Sequence, residues 1–183
     1  MVRFLIFMVM VQKNFKILSN YYLFLCLLLF GYSCKKKNSF EKEIPNLLNN
    51  LEIKNVESIY SNNEIGGFNE GYYIEIYKIP NVFIEDFIKN NNKKIISKSG
   101  WKTSNWLKTP INSTFEDIQI LALNYHTDSP ELKNKLNDVK KVLNDQNGFY
   151  SFYYKEVEGV PNSVQIFVID IKENIIYIIE NKV

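Results

Sequence analysis

The chain has 183 residues with 46% hydrophobic and 15% aromatic content, enough for one ordinary domain with a core of its own. Its formal charge of +2 comes from the first residues: Arg3, Lys13 and Lys16 precede residue 34 with no acid among them, which leaves 19 basic residues against 20 acidic ones in the remainder. That near-neutral remainder has lysine but no arginine, so it lacks the side chain best suited to bidentate phosphate or guanine contacts, and nucleic acid is excluded as a partner.

In chain order, an apolar patch from Phe4 to Val11 comes first, then Lys13, Asn14 and Lys16, then the run Tyr21 to Phe30, which closes in Gly31-Tyr32-Ser33-Cys34 and is followed by Lys35-Lys36-Lys37. The second run is too short to span a hydrocarbon core, which needs roughly 20 residues. Charge ahead of hydrophobe is the usual layout of an export signal, and translation from Met10 would give it. If both apolar runs formed one anchor, each lysine near mid-membrane would cost roughly 2.5–3.5 kcal/mol.

Gly31-Tyr32-Ser33-Cys34 resembles the lipobox of bacterial lipoprotein signal peptides, with small Ser33 ahead of the acceptor cysteine and Tyr32 and Gly31 departing from the usual pattern. The resemblance implies removal of residues 1–33, a lipid on Cys34, a tether over residues 34–39 and a single globular domain over residues 40–183, held at a cell membrane or outer membrane. An acidic run after the cysteine marks surface export in some bacteria. The three lysines here favour the periplasmic face, and near anionic headgroups each is worth about 1 kcal/mol. With Cys26 in the signal and Cys34 acylated, the domain has no disulfide and must rest on its core.

Phe40, Ile44, Leu47, Leu48 and Leu51 keep helical spacing, with Pro45 predicting a short helix that starts there. Val56–Tyr60 reads as a strand. The segment from Asn62 to Gly71 reads as turn-forming. Gly71–Ile79 is a strand, in which Tyr73, Glu75 and Tyr77 alternate with Ile74 and Ile76, and Glu75 reads as outward-facing. Asn81 caps a helix to about Asn90, with Phe83, Ile84, Phe87 and Ile88 as its apolar stripe. Gly100–Pro110 reads as a loop anchored by Trp101 and Trp106, and Thr114–Tyr125 as a helix.

Ser129-Pro130-Glu131 combines a serine cap, proline at the first helical position and an acid in the first turn. Leu132, Leu136, Val139 and Leu143 trace the buried face of that helix, which stops near Asn147-Gly148. Three strands follow, Phe149–Glu156, Ser163–Ile171 and Ile175–Glu180, separated by Gly159-Val160-Pro161 and Lys172-Glu173-Asn174. The order predicts an α+β fold: a mainly antiparallel sheet of about five strands with two to four helices packed on one face.

Catalytic inventory is thin. His126 is the only histidine, the domain has no available thiol and no Gly-x-Ser-x-Gly elbow, and no cofactor motif is visible. One imidazole without thiolates excludes a histidine-based zinc site. Asp145-Gln146-Asn147-Gly148 with Glu156 has the outline of a calcium loop, but Tyr150 stands where the required glycine would be. The remaining oddity is Gly66-Gly67-Phe68-Asn69-Glu70-Gly71, three glycines in six residues opening a strand, a candidate binding loop at Gly66, Gly67, Phe68, Glu70 and Gly71. It is similar to a Gly-Gly-Phe-x-Gly-Asp-Gly stretch of a family of small uncharacterised secreted or membrane-anchored bacterial proteins. That resemblance places Asp170, Asn174, Tyr177 and Glu180 at the family's C-terminal strand positions. The expectation is a lipid-anchored, non-enzymatic envelope protein that binds a protein or small ligand. A toxin-immunity or inhibitor lipoprotein and a carboxylate-dependent hydrolase are the alternatives.

Overall fold

The computed structural model describes residues 40–48, 53, 56–65, 71–90 and 95–183. The chain divides into residues 1–37 and a second compact unit that begins at Asn38. The expected signal, Met10, Cys34 and the expected tether all lie outside the described residues. Among the described residues no helix is long and apolar enough to cross a membrane.

The domain is α+β. Its elements run α1 (Ile44–Leu47), β1 (Glu57–Ile65), β2 (Gly71–Lys78), α2 (Asn81–Lys89), β3 (Lys102–Thr103), β4 (Leu107–Lys108), a 3-10 turn (Ser113–Phe115), α3 (Glu116–Leu123), α4 (Pro130–Asn144), β5 (Gly148–Val157), β6 (Val160–Asp170) and β7 (Ile175–Lys182). All strand pairs are antiparallel, in the order β1-β2-β7-β6-β5-β3, with β4 also on β5. The sheet therefore has seven strands rather than about five.

The extra strands come from the stretch expected to be an irregular loop. β3 and β4 are two residues long each and hydrogen-bond to β5. Such short pieces carry no alternation of their own, and the ladder of β5 alone defines them. Likewise Asn62, Asn63 and Glu64 belong to β1, opposite Ile74, Tyr73 and Tyr72 of β2, rather than to a turn. Their turn propensity loses to pairing with a strong neighbouring strand.

The helices cover both faces of the sheet, not one. Ile118, Ala122 and Leu123 of α3 and Leu132, Leu136, Val139 and Leu143 of α4 pack with Ile74, Ile76, Val164, Ile166, Val168 and Ile179. On the opposite face Phe40, Ile44, Leu47, Ile84 and Phe87, from α1, α2 and the residues before them, pack with Tyr77, Phe149, Phe167, Ile169, Ile176 and Ile178. The reason lies in β6 and β7, where residues 163–169 and 176–180 are buried without interruption. A half-exposed strand alternates, whereas a strand buried on both faces reads as a continuous apolar run.

Local signals act where expected. Ser129 Oγ accepts from the Leu132 amide at 3.2 Å, with Pro130 opening α4. Pro80, not Asn81, precedes the first turn of α2, and the Asn81 side chain instead donates to Glu85. α1 begins at Ile44, one residue ahead of Pro45. The β5–β6 hairpin turns on Glu158 (φ 53°) and Gly159 (φ 83°), two consecutive left-handed residues as a tight primed turn requires. Val160 and Pro161 already belong to β6, opposite Val157 and Glu156. At the β6–β7 turn Asp170 accepts from the amides of Lys172 (2.9 Å) and Glu173 (3.1 Å), and Asn174 has φ 54°.

Candidate functional site

The register of four adjacent strands places one polar row across the face covered by α1. Tyr73 of β2 stands opposite Glu180 of β7, Glu180 opposite Gln165 of β6, and Gln165 opposite Tyr153 of β5. Because side chains alternate along a strand, these four point to the same face. Glu75 stands two residues further along β2. It is buried, 6% exposed, and not outward-facing as its alternation suggests, because residues 40–48 fold over it. Its Oε2 accepts from the Phe40 amide at 3.0 Å and from the Tyr77 hydroxyl at 2.5 Å. That arrangement, with burial, raises the Tyr77 pKa, burial being the larger cause.

Gln165 is the centre of the row and fully buried. A buried amide needs partners on both its ends. Lys98 Nζ donates to its Oε1 at 2.9 Å, and its Nε2 donates to Glu43 Oε2 at 3.3 Å. Glu180, 6% exposed, accepts from Lys182 at 2.7 Å. Burial raises the Glu43 pKa from its ordinary value. Lys98 and the Gln165 amide act against that rise, and the Glu180 and Glu75 charges add to it. The Tyr153 hydroxyl donates to the Ile96 carbonyl at 2.6 Å, and burial together with the Glu43 charge pushes its pKa up to about 12.

Glu43, Asn46, Leu47, Ile96, Ser97, Lys98 and Tyr153 line a cleft of about 230 Å³ over this row. Next to Lys98, Trp101 has two ammonium groups near its ring, Lys98 at 4.6 Å and Lys155 at 5.0 Å from the centroid. The cleft thus offers a carboxyl group, an ammonium group and aromatic and aliphatic walls. Among the described residues no group of three acidic, histidine or cysteine side chains could hold a metal ion.

A second cleft of about 310 Å³ lies on the other face, near Tyr177, Asp138, Asp170 and Glu173. Two of its acids are engaged by their neighbours: Asp138 pairs with Lys141 at 3.1 Å, and Asp170 caps the β6–β7 turn. Burial, with those three acids, pushes the Tyr177 pKa up to about 12. Asp170 and Tyr177, which the family resemblance grouped with Asn174 and Glu180, lie here. Glu180 belongs to the opposite face, so the structure does not assemble the four into one site.

Of the glycine-rich loop, Gly66, Gly67, Phe68 and Glu70 lie outside the described residues, as does Cys34. Gly71 opens β2 between Ile65 and Lys182, and a Cβ there would come within 2.8 Å of the Tyr73 ring, which lies over its backbone. His126 is exposed between α3 and α4. Asp145 accepts from the Gln146 amide at a helix end, and Glu156 pairs with Lys102 at 2.5 Å on an adjacent strand, so the calcium-loop outline dissolves into a helix stop and a strand.

Sequence reading missed Glu43, Lys98, Tyr153 and Gln165 as a group. One signal was present: Gln165 and Glu180 are polar residues inside otherwise apolar strands, and such positions call for buried partners. Comparison with family models, with curated proteins and with solved structures gives no match. The class defined by fold and site is therefore an α+β domain with a seven-stranded antiparallel sheet covered on both faces and a small cleft beside α1 that carries Glu43 and Lys98 on a largely apolar lining.

Proposed function

We propose that the chain is a lipid-anchored protein of a bacterial envelope whose domain is a non-catalytic binding module. The observation that carries the anchoring is the run Tyr21 to Ser33 ending at Cys34 with three lysines behind it. Phe40 is already buried with its amide on Glu75, so a lipid on Cys34 would be joined to the fold by a tether of residues 34–39. The cleft over Tyr153 supports the binding role, since it combines an apolar wall with two opposite charges and no histidine or thiol nucleophile. The test is intact mass and detergent partitioning of the expressed chain beside Cys34→Ala. Loss of residues 1–33 with gain of a diacylglycerol mass, abolished in the variant, is the expected result. An unprocessed chain that partitions identically in both versions overturns it.

A carboxylate-dependent hydrolase is the second reading, favoured by one observation. Glu43 is held toward its protonated form by burial while Glu180 and Glu75 lie close enough to raise it further, an arrangement that suits a general acid beside a carboxylate. Of the three only Glu43 lines the cleft. Turnover of a glycoside or ester panel that disappears in both Glu43→Gln and Glu180→Gln would establish this reading in place of the first.

A further inference from the structure

The Gln165 amide is an organising device. Its backbone is fixed in the ladder between β5 and β7, and its side chain receives a hydrogen bond from Lys98 and gives one to Glu43. One amide therefore holds an ammonium group and a carboxylate on its two sides, both at the lining of one cleft. The ion pairs among the described residues do not join Glu43 to Lys98. Two opposite charges kept apart by a rigid, fully buried spacer are complementary to a ligand that carries the same two charges in reverse order.

We propose that this cleft binds a small zwitterion of the free amino acid or dipeptide class, with the ligand ammonium on Glu43, its carboxylate on Lys98 and an apolar side chain against Leu47, Ile96 and Tyr153. The inference deepens the binding half of the function proposed above and rests on it, while it is independent of the lipid anchor. Size sets the scale of the ligand: about 230 Å³ lies below the roughly 300–1,000 Å³ of drug-sized pockets. Charge sets its polarity. Glu43 is destabilised as a carboxylate chiefly by burial, with Glu180 and Glu75 adding to that and Lys98, held on Gln165, acting against it, and a ligand ammonium at Glu43 supplies a further favourable charge. The Trp101 and Tyr153 rings, with centroids 4.6 and 5.6 Å from Lys98 Nζ, contribute no acceptor for full charge-assisted hydrogen bonding, and a ligand carboxylate supplies one. Asn46 and Ser97 add further polar groups to the lining.

The test is isothermal titration of the full chain in detergent with leucine, phenylalanine and glycyl-leucine, each beside its N-acetyl and C-amide form. Saturable binding of the zwitterions, weakened about tenfold or more by either cap, is expected, since each cap removes one charge-assisted contact. Glu43→Gln and Lys98→Met should each lose a similar factor while Cys34→Ala keeps full affinity. The capped ligands need no variant, so a misfolded mutant does not blunt the test. Absence of saturable binding by all three zwitterions up to millimolar concentration, or equal binding of the capped forms, overturns the inference. If a different partner then copurifies with the chain and is lost in the same variants, the broader binding role stands and only the zwitterion falls.

Discussion

Trp106 Nε1 donates to the backbone carbonyl of Leu47 at 3.0 Å, from a position 1% exposed. This bond joins the irregular segment before β4 to the last turn of α1 and carries α1 on the face where the cleft opens. The indole also packs edge-on to Phe87 at 5.3 Å, so one side chain ties α1, α2 and the sheet edge together.

Trp106→Phe should therefore destabilise the domain by about 3 kcal/mol, combining the lost ring volume with a buried carbonyl left without its donor. Trp101→Phe, at a half-buried ring, should cost about 1 kcal/mol. Denaturant unfolding of the two variants side by side checks the ordering. Equal losses would mean that the Leu47 bond contributes nothing.

Gly148 begins β5 where a Cβ would lie 2.8 Å from the Ile169 carbonyl oxygen and 2.9 Å from a Val142 methyl. Its amide donates to Thr109 Oγ1 at 2.9 Å, and its carbonyl accepts from the Thr109 amide at 3.0 Å. Backbone fixed on both sides cannot yield cheaply, so Gly148→Ala should cost about 1–3 kcal/mol. A melting temperature unchanged from the wild type would refute the close approach.

Glu43 gives a pH dependence of definite sign. Its folded pKa is raised above the ordinary value of 4.5, so the folded state binds the proton more tightly than the unfolded chain. The contribution to stability is then fully present below 4.5 and is lost as pH rises through the folded pKa. The groups facing it are Lys98, Gln165, Glu180 and Glu75. Measured as wild type minus Glu43→Gln, unfolding free energy should fall as pH climbs from 4.5 toward neutrality. A flat or rising difference would contradict the burial of this carboxyl.

The tyrosines act at the alkaline end. Tyr153 and Tyr177 are pushed up to about 12, and Tyr72, whose hydroxyl donates to the Ala122 carbonyl at 2.8 Å, is raised as well, in each case chiefly by burial. The unfolded chain ionises near 10, so the stability these groups contribute is intact below that pH and is lost as pH rises toward 12. The tyrosinate absorbance that these rings contribute should therefore appear together with the loss of circular dichroism above pH 10, as their ionisation and unfolding become one event. Full ionisation with retained structure would show the rings to be accessible.

The sequence by itself determined the elements whose causes are local. Ser129 and Pro130 start α4 because a side-chain oxygen can reach an amide three residues on and a prolyl ring is already set at helical φ. The β-branched and aromatic runs from Gly71, Phe149, Ser163 and Ile175 gave β2, β5, β6 and β7, and their order gave the α+β class. Tertiary structure decided what depends on distant partners. β3 and β4 exist because β5 offers them a ladder, Asn62–Glu64 are extended because β2 pairs with them, and Glu75 is buried because Phe40 folds over it. The cleft is of the same kind: Glu43, Lys98, Tyr153 and Gln165 share no spacing and meet only through sheet register and the packing of α1. Propensity and capping act within a turn or two of chain, whereas burial and strand pairing join residues that the sequence keeps far apart.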